Sequence, residues 1–231
     1  MGGQEGAWAE TIIRLMAAWL LLAGASAWAW RQRLGLSRSM LLASFRGLVQ
    51  LMLLAFVLEW IFELRHPIVQ WLLIAGFCIL AARNSASHHM ETGMAWFAAS
   101  TGLFVSCLVS LPWLELCGAI ESQSRTLIPL ASMIAANGMN AVSLMFHRMA
   151  EGGLAKDGVR AAMIPPVDTL KVVGLVHMPG IFVGMILAGA PALVAAGAQL
   201  VILYMIVASS FTACIVTMLM MNRAMKVRVC D

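Results

Sequence analysis

Charge is what this sequence has least of. Asp, Glu, Lys and Arg make up 11% of its 231 residues, under half of the roughly 25% usual in soluble domains. Hydrophobic residues reach 61%, against about 45–50% in soluble domains. Such a chain cannot clothe a soluble globule of this size in polar surface, which sets aside most soluble enzymes and disorder. There is no GxxxxGK[ST] phosphate loop, so the chain is not expected to hydrolyse ATP itself. A GxSG-type nucleophile turn is missing. Asp168 is the one Asp near an apolar run, so the paired carboxylates of an intramembrane aspartyl protease are missing too. No CxxC pair occurs, and the five cysteines read as small buried hydrophobes. A cationic leader is lacking at Met1-Gly-Gly-Gln-Glu5, so the first apolar run is expected to stay as a span. The net charge of +4 then belongs to loops at a membrane rather than to nucleic-acid binding.

What is present is a series of long apolar runs. A spanning helix needs about 20 mostly apolar residues, and seven runs qualify: Ala9–Trp30, Met40–Leu58, Pro67–Ala82, Met94–Leu116, Leu127–Phe146, Leu170–Ala188 and Gln199–Met221. The third is short, and Pro179-Gly180 interrupts the sixth. The expected fold is all-α, a polytopic transmembrane helix bundle over residues 1–231 as one domain, with a cytoplasmic loop at 147–169. With the amino terminus outside, ten Lys and Arg residues fall on the inner side: Arg31, Arg33, Arg38, Arg83, Arg148, Lys156, Arg160, Arg223, Lys226 and Arg228. Only Arg65 and Arg125 fall outside. That bias orients the chain with its carboxyl terminus in the cytoplasm.

Polar residues within spans carry a free-energy cost, so they single out candidate sites. Arg46 and Gln50 are four apart, on one face of the second span. Arg46 either snorkels to the interface, with Gln50 bonding a neighbouring helix, or faces the bundle and meets substrate. Met133, Asn137, Asn140, Leu144 and His147 repeat at 4-3-4-3 spacing, one helical stripe. Its amides either glue helices together or line a path for a cation or polar solute. Further on, Pro165-Pro166 is expected to block a continuous helix entering from the cytoplasm. Asp168 and Lys171 are spaced to pair, and Pro179-Gly180 to break the next span. This stretch is either a structural bend with an interfacial ion pair or a gate that docks a driving subunit. His88-His89 is a weak metal signal without further ligands at suitable spacing. The eighteen Met residues are scattered and read as apolar filler rather than soft-metal ligands.

Several strings occur in a telling order: Arg46-Gly-Leu-Val-Gln50-Leu, then Ile128-Pro-Leu-Ala-Ser-Met-Ile-Ala-Ala-Asn-Gly-Met-Asn-Ala-Val-Ser-Leu, Arg160-Ala-Ala-Met-Ile-Pro-Pro-Val-Asp, and Val173-Gly-Leu-Val-His-Met-Pro-Gly. With Gln199 in the last span, they resemble the UPF0014 family, permease subunits of the bacterial FetB type. That resemblance implies the membrane permease of an ABC-type transporter, a homodimer working with a separate cytoplasmic ATPase. ATP and Mg would sit on that partner, with no cofactor in this chain and no nucleic-acid partner. It also implies a bacterial inner-membrane location, surrounded by lipid, and metal homeostasis through export of an ion such as iron. Plant relatives are linked to aluminium tolerance and sugar-nucleotide movement.

On this reading Arg46, Gln50, Met133, Asn137, Asn140 and His177 form the transport pathway. Arg148, Arg160, Pro165, Pro166, Asp168, Lys171, Pro179 and Gly180 serve coupling and gating. His177 stands where the family carries a hydroxyl, adding a titratable group. The segment between Arg148 and Arg160 is shorter than the family's coupling region, which leaves an alternative: a channel, secondary carrier or scaffold of the same fold with no ATPase.

Overall fold

The computed structural model describes residues 2–62, 66–87, 92–120 and 123–230, with side chains described for 10–57, 61–62, 66–87, 93–120 and 123–223. His88, His89 and Arg65 lie outside them. Eight helices follow in order: α1 Gly2–Arg31, α2 Ser37–Phe62, α3 Pro67–Ala86, α4 Thr92–Leu116, α5 Ser124–Ala150, α6 Ala155–Val172, α7 Gly180–Leu187 and α8 Ala192–Cys230. Among the described residues, six of these helices (α1 to α5 and α8) are long and apolar enough to cross a membrane. Helices satisfy their own backbone, the requirement for any open chain in lipid.

The chain forms two compact units, Met1–Ile61 and Phe62–Asp231. In the first, a short turn joins α1 and α2. That turn needs left-handed backbone at Arg33 (φ 54°) and Gly35 (φ 71°), and the Ser26 hydroxyl donates to the Ser37 carbonyl at 2.9 Å across it. Within this unit the apolar side chains of both helices point mostly outward, as lipid-facing or partner-facing surfaces do.

The second unit holds the core. Ile74, Cys78, Ala82 and Ala86 repeat every four residues along α3, and Ala95, Ala99, Leu103, Cys107 and Leu111 do so along α4. Each set is one helical stripe. These stripes pack with α5 and α8. Small residues set the spacing, as membrane bundles require. A Cβ added at Gly102 would meet the Thr217 hydroxyl and lie 2.6 Å from the Ala213 carbonyl oxygen. One added at Gly138 would lie 2.6 Å from Leu103 Cδ2. Two polar bonds tie α3 to α5: Gln70 Nε2 donates to Ser124 Oγ at 2.7 Å, buried, and Ser85 Oγ to the Met139 carbonyl at 2.9 Å, part-buried.

Two sequence expectations are corrected here. Leu170–Ala188 is not one helix. α6 ends at Val172, residues 173–179 turn, and α7 has eight residues, or about 12 Å of rise. That is less than half of the roughly 30 Å hydrocarbon core. The break begins at Gly174 (φ 80°), a backbone conformation that glycine adopts at no steric penalty. Second, Pro165-Pro166 does not stop a helix. Both lie inside α6, and the expected loop at 147–169 is helical except for the four-residue link Glu151–Leu154. The two prolines remove two helix bonds, but α6 packs on both α5 and α8, which holds it helical through the gap.

α6 and α8 run antiparallel. Ala162, Pro165, Pro166 and Thr169 of α6 share a cavity wall with Leu203, Ile206, Val207 and Ser210 of α8. Further up, Val173, Gly174 and Pro179 of the break share a second wall with Ala196, Gln199 and Leu200. α6, the break and α7 thus run beside α8 from Ser210 back toward Ala192, about 27 Å of helix.

Candidate functional site

The first of these cavities encloses about 180 Å³ between α5, α6 and α8. Asn137, Asn140, Ala141 and Leu144 form the α5 wall. They follow helical spacing, so one face of α5 supplies both amides. Asn137 Nδ2 donates to the Met133 carbonyl at 2.9 Å, which fixes that amide and leaves its carbonyl oxygen available.

The α6 wall contributes backbone chemistry. The Ala162 carbonyl would normally accept from residue 166 or, in a tighter turn, from residue 165. Both are proline and neither has an N–H. The double proline therefore leaves Ala162, a lining residue, with an acceptor its own helix cannot satisfy. One turn on, the Thr169 hydroxyl donates to the Pro165 carbonyl at 2.9 Å. From α8 comes Ser210, 1% exposed, whose hydroxyl oxygen is buried without a hydrogen-bond partner. A buried hydroxyl left unpaired costs about 1–3 kcal/mol. Ser210 lines the cavity, so this hydroxyl is open to a partner there. The cavity is thus mainly apolar with a few convergent, uncharged polar groups, the composition of a small-solute site.

Not every residue singled out from the sequence reaches this cavity. Of the α5 stripe, Asn137, Asn140 and Leu144 line it. The half-buried Met133 side chain packs against the core. His147 is exposed and stands 3.5 Å from Glu151, which also accepts from Arg148 at 3.0 Å. Pro165 and Pro166 line the cavity, whereas Asp168 and Lys171 form an exposed pair at 2.9 Å. Arg160 is exposed on α6. Pro179 is buried and precedes the first residue of α7, Gly180. His177 is exposed within the break, where its N–H donates to the Val172 carbonyl at 3.2 Å. Arg46 and Gln50 lie in the first unit and are exposed there. Ser210 and Thr169 carry no signal in a single sequence beyond being hydroxyls in apolar runs. Their spacing becomes informative only once α6 and α8 are known to be neighbours. Among the described residues no group of three or more His, Cys, Asp or Glu could hold a metal ion.

Six apolar helices and a mainly apolar cavity with a few polar groups, walled by three helices, define a multi-pass helical membrane protein. The chain belongs to UPF0014, described as an uncharacterised protein family, whose model matches residues 12–153 and 149–225. The two matched stretches overlap at residues 149–153, beside the α5–α6 link. It is 29% identical over 214 residues to "Probable iron export permease protein FetB" of Escherichia coli (strain K12), covering 81% of this chain and 83% of that protein. It is 27% identical over 245 residues to "UPF0014 membrane protein STAR2" of Oryza sativa subsp. japonica, covering 93% and 85%. It is also 25% identical over 206 residues to "Protein ALUMINUM SENSITIVE 3" of Arabidopsis thaliana, covering 78% and 74%. No solved structure matches the chain.

Proposed function

We propose that this chain is the membrane permease of an ABC-type exporter, driven by a separate cytoplasmic ATPase that carries ATP and Mg, with a metal ion such as iron as cargo. The observation that carries a transport role is the cavity joining Asn137, Asn140 and Ser210 beside the double proline of α6. The export and iron parts are supported by the name of the bacterial relative. The bias of Lys and Arg supports an inner-membrane orientation with the amino terminus outside. In that orientation α6, its break and α7 count together as one discontinuous crossing. Broken helices of this kind are tolerated where they border protein or water, and transporters use them near their binding sites.

In this reading α6 is the moving part. Its amino-terminal end follows the four-residue link from α5, where an ATPase would dock near Arg148 and Arg160, whereas the Asp168–Lys171 pair lies near the other end of α6, about 20 Å along the axis. Two missing helix bonds at Pro165-Pro166 let α6 bend at low energetic cost. A bend there changes the wall of the cavity and the access to it, which is alternating access in local form. A homodimer would complete the transporter.

The brevity of the Glu151–Leu154 link favours one second reading, a channel, carrier or scaffold that needs no ATPase. Co-purification separates the two. Tagged protein extracted from its own membrane should retain a Walker-motif ATPase, and cellular iron should fall only when both are present. Iron efflux that persists without the ATPase would move the assignment to the second reading.

A further inference from the structure

The second cavity on the α6–α8 seam encloses about 270 Å³ at the helix break, enough for more than one water. Its wall is apolar apart from Gln199, which is 5% exposed. Gln199 Oε1 is buried there without a partner. That oxygen does not cap the break, which makes backbone bonds of its own. The Val172 carbonyl accepts from the N–H groups of residues 175, 176 and 177, and Gly174 N donates to the His177 carbonyl at 3.0 Å. Gln199 and Ser210 are eleven residues apart, so they lie on one face of α8 about 16 Å from each other along the axis. Both orphaned side-chain oxygens of this seam therefore point from one stripe of α8 into successive cavities.

We infer that the helix-break cavity is a hydrated second station, where the Gln199 amide accepts a hydrogen bond from water, either free or in the hydration shell of a cation. No lining side chain there is charged, so the site suits a solute that keeps its water rather than a stripped ion. This rests on the proposed path along the seam, but hydration is measured without any transport assay.

The test is cysteine accessibility in native membranes, read peptide by peptide by mass spectrometry so that the native cysteines stay in place. Gly197→Cys is the control: Gly197 lies within about 3 Å of the same depth on α8, is exposed, and has open space around an added Cβ. Gln199→Cys should react at least about tenfold faster than Gly197→Cys with a small neutral methanethiosulfonate. Labelling by the neutral reagent alone marks free water, and labelling by a cationic reagent as well marks a cation path. Equal or slower reaction than Gly197→Cys, or faster reaction with an anionic reagent than with the cationic one, overturns the inference. Should Gln199→Cys fail to fold, Ala196→Cys on the same wall serves with the same criteria. A wild-type chain that moves no iron while Gln199→Cys still labels would sink the exporter reading and leave this one standing.

Discussion

Ser85 on α3 donates its hydroxyl proton to the Met139 carbonyl on α5 at 2.9 Å, across 54 residues of chain. Met139 sits between Asn137 and Asn140, so this bond holds the amide-bearing turn of α5 at a fixed height against α3. Interhelical hydrogen bonds of this kind contribute about 0.6 kcal/mol on average in membrane bundles. Ser85→Ala should lower resistance to unfolding in detergent by that order and leave the fold intact. A loss of several kcal/mol, or none, would contradict the assignment.

At Gly102, α4 and α8 approach closely. A Cβ there would run into the Thr217 hydroxyl and the Ala213 carbonyl oxygen, and the carbonyl belongs to backbone that cannot rotate away. Gly102→Ala is therefore an overpacking change, expected to destabilise by about 1–3 kcal/mol. Gly197→Ala, in open space, should be neutral or slightly stabilising because alanine favours helix. Melting temperatures of the two variants in one detergent give the comparison, and equal melting temperatures would be inconsistent with this packing.

Pro166→Ala returns an N–H to α6 that the Ala162 carbonyl can accept. A buried backbone bond is worth about 1 kcal/mol net, so the variant should melt higher than the wild type. If α6 bends during transport, the stiffer helix should also carry less flux at equal expression. A higher melting temperature with unchanged flux would remove the double proline from the moving parts.

Much of the fold was legible because apolar length and helical spacing are strong local signals. The runs that became α1 to α5 and α8 lie within the observed helices, and the α5 stripe delivered three cavity residues. It failed at its ends for a geometric reason. The α5 wall runs only from Asn137 to Leu144, about 10 Å of rise, and Met133 and His147 lie about a turn beyond either end. Hydropathy counts residues and not backbone angles, so Leu170–Ala188 read as one span although Gly174 turns the chain midway. The prolines misled in the opposite direction. Their local preference is to end a helix, and packing of α6 between α5 and α8 overrides it. Ser210 and Gln199 lie on an apolar helix with little periodic contrast. Their meaning comes from α6 and the break opposite, which no local pattern encodes.

If the cavity between α5, α6 and α8 is the route of the cargo, Asn137 is its best probe. Asn137→Leu keeps a similar volume and removes the amide, so insertion and melting should change little. The decisive measurement is cellular iron content in cells expressing wild type or Asn137→Leu with the ATPase at equal membrane levels. Wild type should lower cellular iron, and the variant should leave it at the level of cells without the permease. Equal iron export by both proteins would contradict this route.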